Sequence, residues 1–298
     1  MTDRLCLLTV HAHPDDESSK GAGTVAKYKS EGVHCVLVCC TGGELGDIVN
    51  PAMESPEVRE NLGAVRREEL DRATKLIGFD EVVMLGYRDS GMVGSPGNYD
   101  LRSFHQAPLD EAVGRLVAII RRVRPHVLMT YGDEQQGYPH PDHLKVHAIS
   151  GPAFELAGDP DAFPWAGPPW QPQKLYYSAW SRQRFLKMHE RMVELGIESP
   201  FDSKWFDRPS VDERLTTQIE IGDFYDVRIE ALLAHATQID PTSKFWFGLP
   251  PDEARKVHPW EEYIRVKSLV DGGDLESSEH SATEAELALE ADLFDGLR

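Results

Sequence analysis

Two histidine-rich stretches lie far apart in this chain, His13-Pro14-Asp15-Asp16-Glu17 and Tyr138-Pro139-His140-Pro141-Asp142-His143. Each follows an apolar run that reads as a buried strand. The first run is Leu5-Cys6-Leu7-Leu8-Thr9-Val10 and the second His126-Val127-Leu128-Met129-Thr130-Tyr131. In an open parallel sheet, ligands and catalytic groups collect beyond the carboxyl ends of the strands. Two histidines and a carboxylate meeting there match a catalytic zinc site, whose three protein ligands leave one position for water. A further Asp and a further His remain for acid–base work. This is the working set of a metallohydrolase.

The residue types assign roles. Adjacent carboxylates such as Asp15 and Asp16 repel unless a cation or a proton intervenes. A metal on His13 and Asp16, with Asp15 facing the open coordination position as general base, resolves that repulsion. The second stretch supplies the missing ligand, His143. It leaves His140 to stabilise the oxyanion or to protonate the leaving amine, and Asp142 to orient a histidine from behind. A competing pair, His143 and His147, has the spacing of the zincin motif, but Leu144 stands where that motif requires Glu. Two His and a carboxylate also suit Fe(II), so zinc has one rival.

These loops need a sheet to hold them. The patterning predicts helices at about 17–31, from Pro56 to Gly78, at 108–124, 182–195 and 224–237. Between them it predicts strands at 33–40, 81–85, 174–180 and 216–221, besides the two already named. Strands alternating with helices argue for βαβ units, hence an α/β, Rossmann-like fold with a mostly parallel sheet and helices on both faces. Residues 1–270 read as one domain, a core at 1–150 with a C-terminal elaboration at 151–270 over the site's rim. The Pro-, Gly- and Trp-rich stretch 152–172 reads as an extended surface segment. The glycines Gly21 and Gly23 read as lying inside a helix, without the third glycine of a dinucleotide fingerprint. Arg121, Arg122 and Arg124 read as partners of a helix dipole, and His235 as a packing residue.

Composition excludes several classes. A net charge of −19 argues against binding nucleic acid through its phosphates. From Asp271 to Leu297 there are nine acidic residues and no basic one before Arg298, so 271–298 reads as a solvated acidic tail with one short helix near 282–294. No apolar run approaches the roughly 20 residues of a membrane span, and Met1-Thr2-Asp3-Arg4-Leu5 lacks a signal-peptide build. A cytoplasmic protein acting on a small molecule, without membrane or nucleic-acid partners, is expected. The four cysteines show no C-x-x-C pattern and read as small buried hydrophobes, with Cys39 and Cys40 on opposite faces of one strand. The loops Thr41-Gly42-Gly43-Glu44 and Asp89-Ser90-Gly91-Met92 fall on the same rim as the two motifs, where glycines allow close approach to a ligand. Glu44 is taken as a substrate-side candidate.

The two motifs together resemble the LmbE-like (PIG-L) family of zinc-dependent N-deacetylases. Stretches such as Glu17-Ser18-Ser19-Lys20-Gly21-Ala22, Lys174-Leu175-Tyr176-Tyr177 and Ala234-His235-Ala236-Thr237-Gln238 look like the branch that hydrolyses S-conjugates of mycothiol. The resemblance implies zinc on His13, Asp16 and His143, Asp15 as base, and His140 with Tyr138 at the oxyanion. It implies that Arg66 and Asp89 hold the glucosaminyl-inositol portion. Lys20 stands where that branch has lysine, and is expected on the acyl side. Phe245-Trp246-Phe247 and segment 152–172 are expected to form an apolar rim for the S-substituent. The implied activity is amide cleavage to a mercapturic acid and glucosaminyl-inositol. Deacetylation of N-acetylglucosaminyl-inositol is the alternative, and a non-catalytic metal- or sugar-binding protein the remote one, since binding alone requires neither Asp15 nor His140.

Overall fold

The computed structural model describes residues 4–132, 138–270 and 289–298. Five strands run parallel, β1 (Cys6–His11), β2 (His34–Thr41), β3 (Glu81–Tyr87), β4 (Val127–Tyr131) and β5 (Lys174–Ala179), in the spatial order β3-β2-β1-β4-β5. Two more continue the sheet beyond β5 in the order β7-β6, β6 (Thr217–Glu220) and β7 (Trp260–Ser268), with β7 antiparallel to both neighbours. The result is an α/β fold with a mixed, mostly parallel sheet of seven strands.

The helices are α1 (Asp16–Ser19), α2 (Ala22–Ser30), α3 (Pro56–Glu60), α4 (Leu62–Ile77), α5 (Leu109–Val123) and α6 (Pro141–Leu156) in the first half. They continue as α7 (Arg182–Glu194), α8 (Ser203–Phe206), α9 (Tyr225–Ala234), α10 (Lys244–Phe247) and α11 (Pro251–Val257). Strands β1, β2 and β4 are apolar on both sides because both sides are covered. Leu8, Val36 and Leu128 pack with Leu116 of α5 and Ile149 of α6, while Leu7, Cys35 and Val127 pack with Val25 of α2 and Ala73 of α4. Cys39 and Cys40 do fall in different clusters, and all four cysteines are buried and unpaired. The strand order reverses between β1 and β4, which opens a crevice beyond their carboxyl ends. Both motifs enter that crevice.

Several expectations need correction. The helix expected at 17–31 is two helices, because Gly21 takes φ +123° and caps the second one rather than lying inside it. A Cβ at Gly21 would stand 2.6 Å from Met129 Cε, the movable end of that side chain, so it is the backbone angle that calls for glycine there. The helix expected from Pro56 is likewise divided at Asn61. Helix α6 runs on through Pro152 to Leu156, where burial of Ile149, Ala153 and Phe154 offsets the missing N–H. Arg121 does not act on a dipole. Its guanidinium is buried and donates to the carbonyls of Leu156, Ala157, Asp159, Ala162, Phe163 and Gly167, which ties down that loop. Arg122 pairs with Glu81, and Arg124 lies 4.4 Å from the Trp170 ring centroid.

Strand β7 went unpredicted because its charges imitate a surface loop. Glu261 accepts from the Gly23 and Thr24 amides and Glu262 from the Ser181 amide, all inside the molecule. The end of the chain is not a solvated tail either. Glu290 bridges onto β6, and its carboxylate takes Lys174 Nζ at 2.7 Å, Tyr176 Oη at 2.7 Å and Thr217 Oγ1 at 2.8 Å. Leu293 and Phe294 are fully buried, with Phe294 edge-on to Tyr28, and no helix forms over the described residues 289–298. Most of the acidic segment, residues 271–288, lies outside the described residues. Among the described residues, no helix is long and apolar enough to cross a membrane.

The terminal segment is therefore part of the core, and its removal should be costly. Phe294→Ala is expected to lower unfolding stability by about 3–5 kcal/mol. Glu290→Ala should cost a similar amount, because it leaves the Lys174 ammonium (2% exposed) buried without its partner. Urea unfolding checks both, and losses below about 1 kcal/mol would show that the segment is not anchored as described.

Candidate active site

Strand β1 delivers the chain into a sharp turn, His13-Pro14-Asp15, before α1 starts at Asp16. Asp15 adopts φ +115°, a conformation that costs a non-glycine residue of the order of 1–3 kcal/mol. Contacts on its carbonyl, amide and carboxylate hold it, the carbonyl accepting from the Ser18 and Ser19 amides. Its amide donates to Glu17 Oε2 at 2.9 Å, and its carboxylate meets Arg66 Nη2 at 3.0 Å. Arg66, buried on α4, also donates to the carbonyls of Pro14 and Gly43 and so clamps this turn to the loop after β2. The strained turn lets Asp15 and Asp16 face different ways.

Asp16 Oδ2 lies 3.6 Å from His13 Nδ1 and 3.4 Å from His143 Nε2. A tetrahedral ion with bonds of about 2.0–2.1 Å holds its donor atoms about 3.3 Å apart. All three residues are buried, and their donor atoms lie within 4.8 Å of one another. The other oxygen of Asp16 accepts from Lys20 Nζ at 2.6 Å. Behind His13, Nε2 stands 3.2 Å from Asp142 Oδ2 and 3.6 Å from Asp89 Oδ1. That leaves Nδ1 for an ion and fixes the ring from the far side. A second group of donors, His13, Asp89, His140 and Asp142, also lies close together. Its carboxylates are already engaged: Asp142 by the Ser90 amide and hydroxyl, Asp89 by the amides of Leu45 and Gly91. The spacing of the first group fits a tetrahedral ion, with Asp16 Oδ2 also accepting from the His13 amide at 3.0 Å.

Charge agrees with this. Burial opposes a charged His13, yet Asp142, Asp16 and Asp89 together push its pKa well above the ordinary value. Burial also opposes ionised Asp16, but Lys20, His143 and His13 hold it well below the carboxylate range. Three carboxylates around one imidazole form a seat that wants a cation. Asp15 differs from its neighbour. Burial raises its pKa against the pull of Arg66, which suits a group that must accept a proton. His140 caps α6, its Nδ1 accepting from the Asp142 amide at 3.2 Å, so in the neutral ring Nε2 carries the proton. Burial and the nearby His13 hold it down at about 4, which keeps it a neutral donor.

These groups open onto a cavity of about 630 Å³, within the range of ligand pockets. The expected residues His13, Asp15, Asp16, Lys20, Arg66, Asp89, Tyr138, His140 and His143 all line it. Tyr138 is half-exposed, its ring 6.2 Å from that of His140. Glu44 and Asp142 do not reach the cavity. Glu44 instead braces the Asp89 amide at 3.1 Å, a loop contact rather than a substrate-side one. Lys20 ends α1 with its ammonium on Asp16 and Ser19, which ties it to the ion seat more closely than to the acyl side. His147 lies against Tyr177, away from the triad.

Three contributions escaped sequence reasoning. Ser90 holds Asp142, and it sits next to Asp89 in a loop already singled out. Glu17 belongs to the first motif, but its partner is His235, 218 residues away, at 2.6 Å and fully buried. Burial opposes charge on that imidazole, yet Glu17 and Asp15 raise its pKa, so the pair forms a buried ion pair behind the turn. The third is the part of the cavity's far wall that Trp180 and Trp205 form beside Trp246. Nothing in segment 152–172 lines it, because Arg121 binds much of that segment to α5. Of the expected aromatic rim, Trp246 alone takes part.

Known proteins resemble this chain. A mycothiol S-conjugate amidase of Streptomyces coelicolor is 45% identical over 281 residues, covering 91% of this chain and 94% of that protein. A 1D-myo-inositol 2-acetamido-2-deoxy-alpha-D-glucopyranoside deacetylase of Thermobispora bispora is 42% identical, with 86% of each covered. Among solved structures, the N,N'-diacetylchitobiose deacetylase of Pyrococcus horikoshii superposes with a TM-score of 0.60 at 17% identity, over 88% of this chain and 84% of that one, a likeness of fold. The profile of PIG-L, the GlcNAc-PI de-N-acetylases, matches residues 8–154, which span both histidine motifs. On its sequence, its fold and the residues gathered at the crevice, this chain belongs to the PIG-L (LmbE-like) family.

Proposed function

We propose that this chain is a zinc-dependent amidase that cleaves mycothiol S-conjugates to a mercapturic acid and glucosaminyl-inositol. One observation carries the choice of acyl group. The cavity does not stop at the His13–Asp16–His143 seat but continues past it along Trp180, Trp205 and Trp246, far beyond the room that an acetyl group needs. The 45% identity with an amidase over 91% of the chain supports the same choice. The deacetylase reading has its own support in the 42% identical relative, and the two substrates share the glucosaminyl-inositol end.

His13, Asp16 and His143 would hold the zinc, which would acidify a water and polarise the amide carbonyl. The rest is done by side chains. Asp15, kept facing the cavity by Glu17 and Arg66, takes the attacking water's proton. His140 Nε2–H and the Tyr138 hydroxyl donate to the oxygen that gains charge. The proton on Asp15 then passes to the leaving nitrogen, so water is consumed and an acid and an amine are released. Lys20 neutralises the second oxygen of Asp16, and Asp142 steadies His13. We assign Arg66 and Asp89 to the sugar side, where both line the cavity.

His13→Ala, Asp16→Ala and His143→Ala are each expected to purify without stoichiometric zinc. Metal analysis decides this, and a full complement in any of them removes that residue from the seat. Asp15→Asn should keep its zinc and lose about 10²–10⁴-fold in kcat. In the wild type, kcat/KM should fall on the acid side as Asp15 protonates, with the limb above the ordinary carboxylate range because its pKa is raised. A pH profile flat down to pH 4 would remove Asp15 as the base. Finally, the bimane conjugate of mycothiol should be hydrolysed with higher kcat/KM than N-acetylglucosaminyl-inositol. The reverse preference would establish the deacetylase reading.

A further inference from the structure

The cavity has two chemically distinct halves. Its acidic lining residues are Asp15, Asp16, Asp47 and Asp89, all contributed by the first ninety residues. The segments between Tyr177 and Ile264 that close the other half contribute Arg182, Arg208 and Arg214 and no Asp or Glu. In a chain of net charge −19, this is a local reversal of sign. The same segments bring aromatic rings. Trp180 lies edge-on to Trp246 with centroids 6.0 Å apart, and Phe185 lies 5.3 Å from Trp205. The Arg208 guanidinium carbon sits 4.1 Å from the Trp205 ring centroid, so the cation and the ring form one platform.

Such a wall selects by shape and charge together. Aromatic rings prefer other rings at centroid distances of 4.5–7 Å, and arginine's planar fork matches a carboxylate. We propose that this lobe is the subsite for an aromatic S-substituent bearing a negatively charged group, a reading that rests on the amidase assignment above. The substrate's sugar end takes the acidic half near Arg66, its amide sits at the ion seat, and the sulfur directs its substituent toward Trp205 and Arg208. The class of substrate is thus a thiol adduct of an anionic aromatic electrophile.

The test compares S-methyl, S-benzyl and S-(4-carboxybenzyl) conjugates of mycothiol, reading kcat/KM for cleavage and tryptophan fluorescence for binding. The wild type should prefer carboxybenzyl over benzyl and benzyl over methyl. Trp205→Ala should lower the benzyl-to-methyl ratio about tenfold, the scale of a lost aromatic contact. Arg208→Gln should lower the carboxybenzyl-to-benzyl ratio about threefold, the scale of an exposed ion pair. Equal kcat/KM on the three conjugates, or ratios that neither substitution moves, overturns the subsite. Binding in the expected order without cleavage of any conjugate supports the subsite and overturns the amidase reading instead.

Discussion

The crowding of carboxylates around His13 governs the rest of this site. Asp16, Asp142 and Asp89 all lie within 3.6 Å of one imidazole, and all are at most 2% exposed. Buried charges at this spacing are tolerable only when each is paired or fully hydrogen-bonded. The surroundings meet that demand carboxylate by carboxylate. Ser90 serves Asp142, the amides of Leu45 and Gly91 serve Asp89, and Lys20 takes one oxygen of Asp16. Asp16 Oδ2, which also accepts from the His13 amide at 3.0 Å, faces His13 Nδ1 and His143 Nε2 across the cluster. Their spacing fits a cation. The loops after β2 and β3 are thereby coupled to this cluster.

The same economy explains the turn at Asp15. Neighbouring carboxylates in an ordinary helical turn would share one environment and titrate together. The left-handed conformation of Asp15 separates them, leaving Asp16 with Lys20 and the histidines and Asp15 with Arg66. One carboxyl is then held ionised, and its neighbour is raised toward the range of a base. The cost of the strained backbone is met by buried contacts drawn from distant parts of the chain. Arg66 comes from α4, and His235, just after α9, supports Glu17. A positional error in either would be felt at the reacting atoms without any change in the ligands themselves.

The elaboration after β5 gives the site its character on the other side. Strand β7 turns the sheet antiparallel, and the chain between β5 and β7 returns over the crevice to form the aromatic and cationic wall. The terminal residues lock this addition from behind, where Glu290 joins Lys174 on β5 to Thr217 on β6. The Rossmann-like part carries both histidine motifs, and the added part lines the cavity beside them.

Local pattern determined the elements that hold the chemistry. The apolar runs at 5–10 and 126–131 are strands because both their faces are covered, and a motif after each must lie at the crevice. That His13, Asp16 and His143 would come together could be read from a His, a carboxylate and another His placed just after two strand ends. Tertiary structure decided whatever depends on partners distant in the chain. Glu261 and Glu290 look like surface acids in sequence, yet the first is buried and the second partly buried, each against donors more than seventy residues away. Glu17 looks like the end of a motif until His235 appears beside it, and Lys20 looks like a solvated helix lysine until α1 stops at Ser19. Hydrophobic period is a local quantity, so it marks strands and helices wherever they occur. A buried charge is defined by what neutralises it, and that neighbour is known only once the chain has folded.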